Sequence, residues 1–153
     1  MTTTAVSVEV DRLPEIEGAT FGPSPWRVIT QDDVDLFAKV TGDHNPIHLD
    51  ADFAAATPFG ARIVHGYLTL GLVVPLMAEV FTVTELGMGI NYGLNKVRFP
   101  SPVIVGSRIR VHGKVTAVTP IEGGYQLEAT VTFEIEGGGK PACVAEMVLR
   151  YYR

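Results

Sequence analysis

The chain has a single cysteine, Cys143, among its 153 residues. One cysteine excludes an internal disulfide, and the expectation is a reducing, cytoplasmic setting. Cys143 lies in an alternating apolar pattern and reads as a small core residue rather than a nucleophile. No run is long enough to cross a bilayer. The most apolar one, IVHGYLTLGLVVPLMA, covers 16 residues and contains His65 and Pro75. Membrane spanning takes roughly 20 apolar residues. The run therefore reads as a buried helix. Positive charge is also scarce, with 12 Lys and Arg against 17 Asp and Glu, a net charge of −5. No basic cluster offsets this, so there is no electrostatic reason to bind nucleic acid or an anionic membrane. The first residues, MTTTAVSVEVDRLPEIEG, lack a basic segment followed by an apolar run, so no signal peptide is expected. Repeats, linkers and low-complexity stretches are missing too. The expectation is one domain over residues 21–153, preceded by a flexible tail over 1–20.

What is present divides into a helical front half and a stranded back half. Thr30 is a candidate N-cap, with Asp32 and Asp33 in the first turn, where the helix dipole favours negative charge. Val34, Phe37, Ala38 and Thr41 then recur at i, i+3, i+4 and i+7, and Gly42 can end that helix. Pro46 argues against helix immediately afterwards. A short helix is expected from Asp50 to before Pro58. The segment 66–81 is apolar all round, as for a helix wrapped by other structure. In SRIRVHGKVTAV, Ile109, Val111, Val115 and Ala117 alternate with polar residues. In YQLEATVTFEIE, Tyr125, Leu127, Ala129, Val131, Phe133 and Ile135 do the same. A period of two with one wet face marks antiparallel strands. Further strands are expected over 90–99 and 142–152, with turns at Gly123-Gly124 and 137–139. The fold class is α+β: an antiparallel sheet wrapped around a long apolar helix.

Against this apolar background, residues 41–50 read TGDHNPIHLD. Three readings compete. Asp43, His44, His48, Asp50 and His65 could ligate a metal. However, His44 and His48 share a face only in a helix, and no H-E-x-x-H or cysteine pair supports the idea. A plain turn explains Gly42, Asn45 and Pro46. It does not explain an Asp and a His five apart beside the apolar Ile47 and Leu49. An acid/base site explains that pair, because Asp and His together can activate a water. Downstream, His65-Gly66 opens the apolar helix. The free backbone N–H groups at a helix start can polarise a carbonyl. His65 itself reads as a capping or core histidine.

The ordered motifs F-A-x-x-T-G-D-x-N-P-I-H-x-D and I-V-H-G resemble the MaoC-like hydratases, the (R)-specific enoyl-thioester hydratases and 3-hydroxyacyl-thioester dehydratases. INYGLNKVRFPSPVIVGSRIRV and KPACVAEMVLRY are similar to the NodN-like branch. The resemblance covers the chain from about Phe21 onward. It implies a hotdog fold and a homodimer joined edge to edge, with two sites near the interface. It places the catalytic pair on Asp43 and His48 and the carbonyl-polarising N–H on Gly66. Asn45 supports the loop, and His65 and Tyr67 flank the substrate. The implied reaction is reversible addition of water to a trans-2-enoyl thioester, giving the (R)-3-hydroxyacyl thioester. Asp43 draws a proton from the water, while His48 orients it and helps deliver a proton to the α-carbon. No metal or redox cofactor is implied, and coenzyme A or an acyl carrier protein is only the substrate's handle. One position departs from the pattern: some such hydratases carry a serine where this chain has Val74. Two rivals remain, a hotdog thioesterase and a non-catalytic acyl-thioester binding protein.

Overall fold

The computed structural model describes residues 2–153. Of the tail expected over residues 1–20, Met1 lies outside the described residues, and residues 6–21 pack on the fold instead. Val6–Glu9 is a strand (β1), and Val10–Ile16 is a 3-10 helical segment whose Val10 and Leu13 are buried. Leu13 has no exposed surface. Gly18 then donates to the Val115 carbonyl, and the Val115 N–H returns a bond to Ala19. Short strands at Thr20–Phe21 (β2) and Arg27–Val28 (β3) follow. The segment is tied down because its apolar residues are spaced to enter the core.

Helix α1, Gln31–Thr41, begins as its sequence dictates. The Thr30 side chain accepts from the Asp33 N–H, and the Asp33 carboxylate accepts from the Thr30 N–H. It ends at Gly42, in the left-handed region at φ 78°, a conformation glycine adopts without steric cost. Two short helices come next, α2 (Pro46–Leu49) and α3 (Ala51–Ala55). Pro46 does not prevent α2. It occupies its first turn, where the missing N–H costs nothing, and Asn45 caps it.

The apolar run forms α4 (Gly66–Gly71) and α5 (Val73–Ala78). Hydrogen bonds from Leu72 to Leu68 and from Leu76 to Leu72 carry the helix across the joint. Pro75 removes the donor that would reach Gly71, which loosens the ladder there. The helix stops at Ala78 rather than 81, because Phe81–Thr84 forms strand β4, parallel to β1. Nor is the helix wrapped on every side. Leu72, Val73, Leu76 and Met77 are buried, whereas Tyr67, Val74 and Ala78 stay uncovered. No helix among the described residues is long and apolar enough to cross a membrane.

The remaining strands are β5 (Met88–Arg98), β6 (Arg108–Ile121), β7 (Gly124–Ile135) and β8 (Cys143–Tyr152). They form one antiparallel sheet in the order β2-β6-β7-β8-β5, with β3 also on β6. The sheet presents Ile109, Val111, Val115, Leu127, Ala129, Val131 and Phe133 to the helix, as the alternation predicts. Ala117 departs from it. A bulge lies between Val115 and Ala117, so the pairing jumps from Val115↔Ala129 to Ala117↔Glu128. Cys143 is fully buried, and burial pushes its thiol up to about 11. Strand β5 forms one edge of the sheet and is almost entirely exposed, with Met88, Ile90, Tyr92 and Leu94 open.

Candidate active site

The loop after α1 is built by side chains that fold the backbone locally. The Thr41 hydroxyl donates to the Phe37 carbonyl and accepts from the Asp43 N–H at 3.3 Å. The Asp43 carboxylate accepts from the Asn45 N–H at 3.3 Å. The Asn45 side-chain oxygen, Oδ1, accepts from the Ile47 N–H at 3.2 Å. Asp and Asn favour such turns because their short side chains reach the backbone two residues on. Asn45 is exposed and supports the loop. His44 is exposed as well, and Asp50 caps α3 by accepting from the Phe53 N–H. The broad ligand set suggested by the sequence is therefore not assembled.

The one turn of α2 carries His48 inward, where only 7% of it is exposed. Two bonds fix it. The Ile63 N–H donates to the Ile47 carbonyl at 3.1 Å. His48 Nδ1 lies 2.7 Å from the Ile63 carbonyl oxygen. A carbonyl only accepts, so the proton sits on Nδ1 and Nε2 of the neutral ring keeps its lone pair. The Gln31 amide braces the same turn by donating to the His48 carbonyl at 3.1 Å. Burial pushes the His48 imidazole below its ordinary value. The Ile63 bond opposes this, the nearby His65 adds to it, and Asp43 opposes it.

His65 stands at the N-cap position of α4, but its side chain makes no capping bond. Its segment is held by the Val64 N–H donating to the Val103 carbonyl at 2.8 Å. The ring is 2% exposed and stacks on His48, with 3.8 Å between centroids and 31° between planes. Phe37 packs against it at 4.8 Å. His65 Nε2 lies 3.0 Å from the Asp43 carbonyl oxygen and 3.9 Å from its carboxylate. Asp43 is half exposed, so the trio grades from solvent to core.

Asp43, His48 and His65 each bring a ligand-type atom within 4.8 Å of the others. The stack argues against one ion held by both rings. Planes inclined at 31° in a symmetric stack 3.8 Å apart meet about 7 Å away, half of 3.8 Å divided by the tangent of 15.5°. An ion bound in the plane of an imidazole sits only about 3 Å from its centroid. The same spacing suits a water. A water donating to two acceptors at about 2.8 Å each holds them roughly 4.5 Å apart.

Beside His48 opens a cavity of about 320 Å³, lined among others by Gly66, Thr69, Phe99, Ser101 and Val103. Gly66 is the first residue of α4, so its N–H has no acceptor within the helix. A Cβ at Gly66 would meet the Phe99 ring at 3.3 Å. Glycine thus leaves room at that N–H. Tyr67 is 74% exposed and stands edge-on to Phe99, outside the cavity lining itself. The sequence reading missed the wall at 99–103 and the Ile63 carbonyl. The two prolines in FPSP hint at a non-strand wall, but no residue type signals a backbone carbonyl's role.

Residues 13–136 match the family model described as MaoC like domain. The chain is 50% identical over 140 residues to 3-hydroxyacyl-thioester dehydratase Z of Mycobacterium tuberculosis, covering 91% of this chain and 93% of that one. It is 40% identical over 141 residues to nodulation protein N of Rhizobium leguminosarum bv. viciae, covering 89% and 86%. Among solved structures, an R-hydratase from Pseudomonas aeruginosa in its unliganded form superposes with a TM-score of 0.73 at 29% identity, covering 90% and 82%.

Proposed function

The chain belongs to the MaoC-like family of hotdog-fold proteins, and from that premise we propose that it is a hydro-lyase interconverting trans-2-enoyl and (R)-3-hydroxyacyl thioesters. The observation that carries this reading is the closeness of a carboxylate oxygen of Asp43 and an imidazole nitrogen of His48, which lie within 4.8 Å of each other. His48 borders a cavity whose wall carries the Gly66 N–H.

In the hydration direction, the two groups accept the two hydrogens of one water. As the water oxygen bonds to C3, one proton passes to the pair and one returns from the pair to C2. The site ends as it began, and the C2–C3 double bond has become a single bond carrying H and OH. Asp43 draws the proton, and His48 orients the water through Nε2 and assists delivery. Negative charge building on the thioester oxygen is met by the Gly66 N–H, the kind of contact worth about 3 kcal/mol in a transition state. No metal or redox cofactor takes part. Coenzyme A or a carrier protein serves as the handle outside the cavity.

We also infer a homodimer. The support is an open apolar face: Val74 and Ala78 of the helix share a groove with Ile90 of the edge strand, and Tyr67 is exposed on the same helical run. The buried, reduced state that suits Cys143 supports a cytoplasmic setting.

The test is the absorbance of crotonyl-CoA. Wild type is expected to bleach the enoyl signal, and Asp43→Asn and His48→Ala to do so about 10²–10⁴-fold more slowly with folding intact. Release of free thiol instead would mean a thioesterase. Tight binding without turnover would mean a binding protein.

A further inference from the structure

His65 touches both members of the proposed pair, yet the chemistry above gives it no proton to move. Its Nε2 reaches the Asp43 carbonyl oxygen at 3.0 Å, and its ring lies on His48 at 3.8 Å. We propose that His65 is a positioning residue, a neutral Nε2–H clamp that fixes Asp43 relative to His48 so that one water spans them. This rests on the hydratase reading.

The identity of the ring argues against simple space filling. Only an N–H can bond a carbonyl, so Nε2 carries the proton. Nδ1 is then a bare lone pair, and it is buried without a partner among the described residues. A buried polar atom without a partner costs stability. A phenylalanine would stack on His48 and Phe37 equally well and leave no such atom. What histidine adds is the bond to Asp43. That bond matters because Asp43 follows Gly42 on a half-exposed loop, held otherwise by two contacts of 3.3 Å within the loop itself. The His65 bond is the one that ties Asp43 to the opening of α4, the same turn that presents the Gly66 N–H. One ring therefore sets carboxylate, imidazole and carbonyl-polarising group to a common frame.

The test is steady-state hydration of crotonyl-CoA by His65→Phe and His65→Gln. Phenylalanine keeps the stack and loses the donor; glutamine keeps a donor at nearly the same reach. A misplacement of about 1 Å in an active site costs up to 10²-fold. His65→Phe is therefore expected to lower kcat about 30- to 100-fold with KM within about threefold. Glutamine should restore at least tenfold of the loss. Adding His65→Phe to Asp43→Asn should slow the enzyme little further, because both act on the same water. A lower melting temperature with kcat intact, or an equal loss in the Asp43→Asn background, would overturn the proposal. If His65→Phe does not fold, glutamine against asparagine decides, with the shorter asparagine expected to be slower. Imidazole nitrogen shifts of wild type separate this idea from the hydratase reading. An Nδ1–H tautomer at His65 refutes the clamp even in an active enzyme. An inactive wild type with the Nε2–H tautomer refutes the reaction and leaves the clamp standing.

Discussion

Asp43→Glu is a sharp test of the proposed chemistry because it preserves charge and changes only reach. The carboxylate and a nitrogen of His48 lie within 4.8 Å. A bridging water needs roughly 4.5 Å between its two acceptors. Glutamate adds one carbon–carbon bond, about 1.5 Å. Directed inward, the carboxylate comes within about 3.3 Å of the imidazole, close enough to bond it directly and expel the water. Directed outward, it retreats by about 1.5 Å, and the water loses one acceptor. Either outcome abolishes the two-point hold. The expected loss is about 10²-fold in kcat, near 2.7 kcal/mol in the barrier. KM should change little, because the cavity wall at Gly66, Phe99 and Val103 is untouched. Asp43 is half exposed, so the fold should lose no more than about 0.5 kcal/mol. The assay is initial-rate hydration of crotonyl-CoA beside a urea melt. A glutamate variant within threefold of wild type would refute the reasoning, since spacing would then not govern the rate.

Other expectations follow from the same geometry. His48 must be neutral to accept a hydrogen, and burial lowers its pKa from 6.5. The acid limb of kcat/KM should thus fall below pH 6.5, and an inflection above that value would count against the assignment. The same depression makes the neutral ring's contribution to stability complete above pH 6.5 and lost as pH falls through the folded value. His48→Gln should flatten that part of a urea-midpoint profile. Leu13→Ala should cost about 3 kcal/mol and lower the melting temperature by roughly 10 °C, because Leu13 is fully buried; an unchanged melt would restore the tail. Light scattering should give twice the 16.5 kDa chain mass, and Val74→Glu, on the open helix face, should give one chain mass.

Much of this was legible in the sequence because the signals were local. Thr30, Asp33 and Gly42 mark the ends of α1 by hydrogen bonds within a few residues. The strand faces follow from a period of two. The N-terminal segment was misread because its partners lie far along the chain: Val6 pairs with Phe81, and Gly18 bonds Val115. Ala117 left its expected face because a bulge inserts a residue that alternation does not show. At the site, the spacing of Asp43 and His48 was visible, but Pro46 was taken as a breaker when its place at a helix start makes it an initiator. Tyr67, which the resemblance places beside the substrate, is largely exposed and meets the cavity wall only through Phe99. His65 read as a cap or core residue, since its bond to Asp43 spans 22 positions.

Strand β5 bears on how the chain behaves among other chains. A newly made chain carries 11 residues of open sheet edge, a template on which any extended segment can add. Two irregularities interrupt its register, between Asn91 and Gly93 and between Leu94 and Lys96. Lys96 and Arg98 charge its far end. Bulges and cations of this kind discourage indiscriminate stacking. The edge is therefore shaped to resist indiscriminate pairing with other chains. Substitutions that smooth or neutralise it should surface first as poor yield and insoluble protein, with the chemistry of surviving molecules intact.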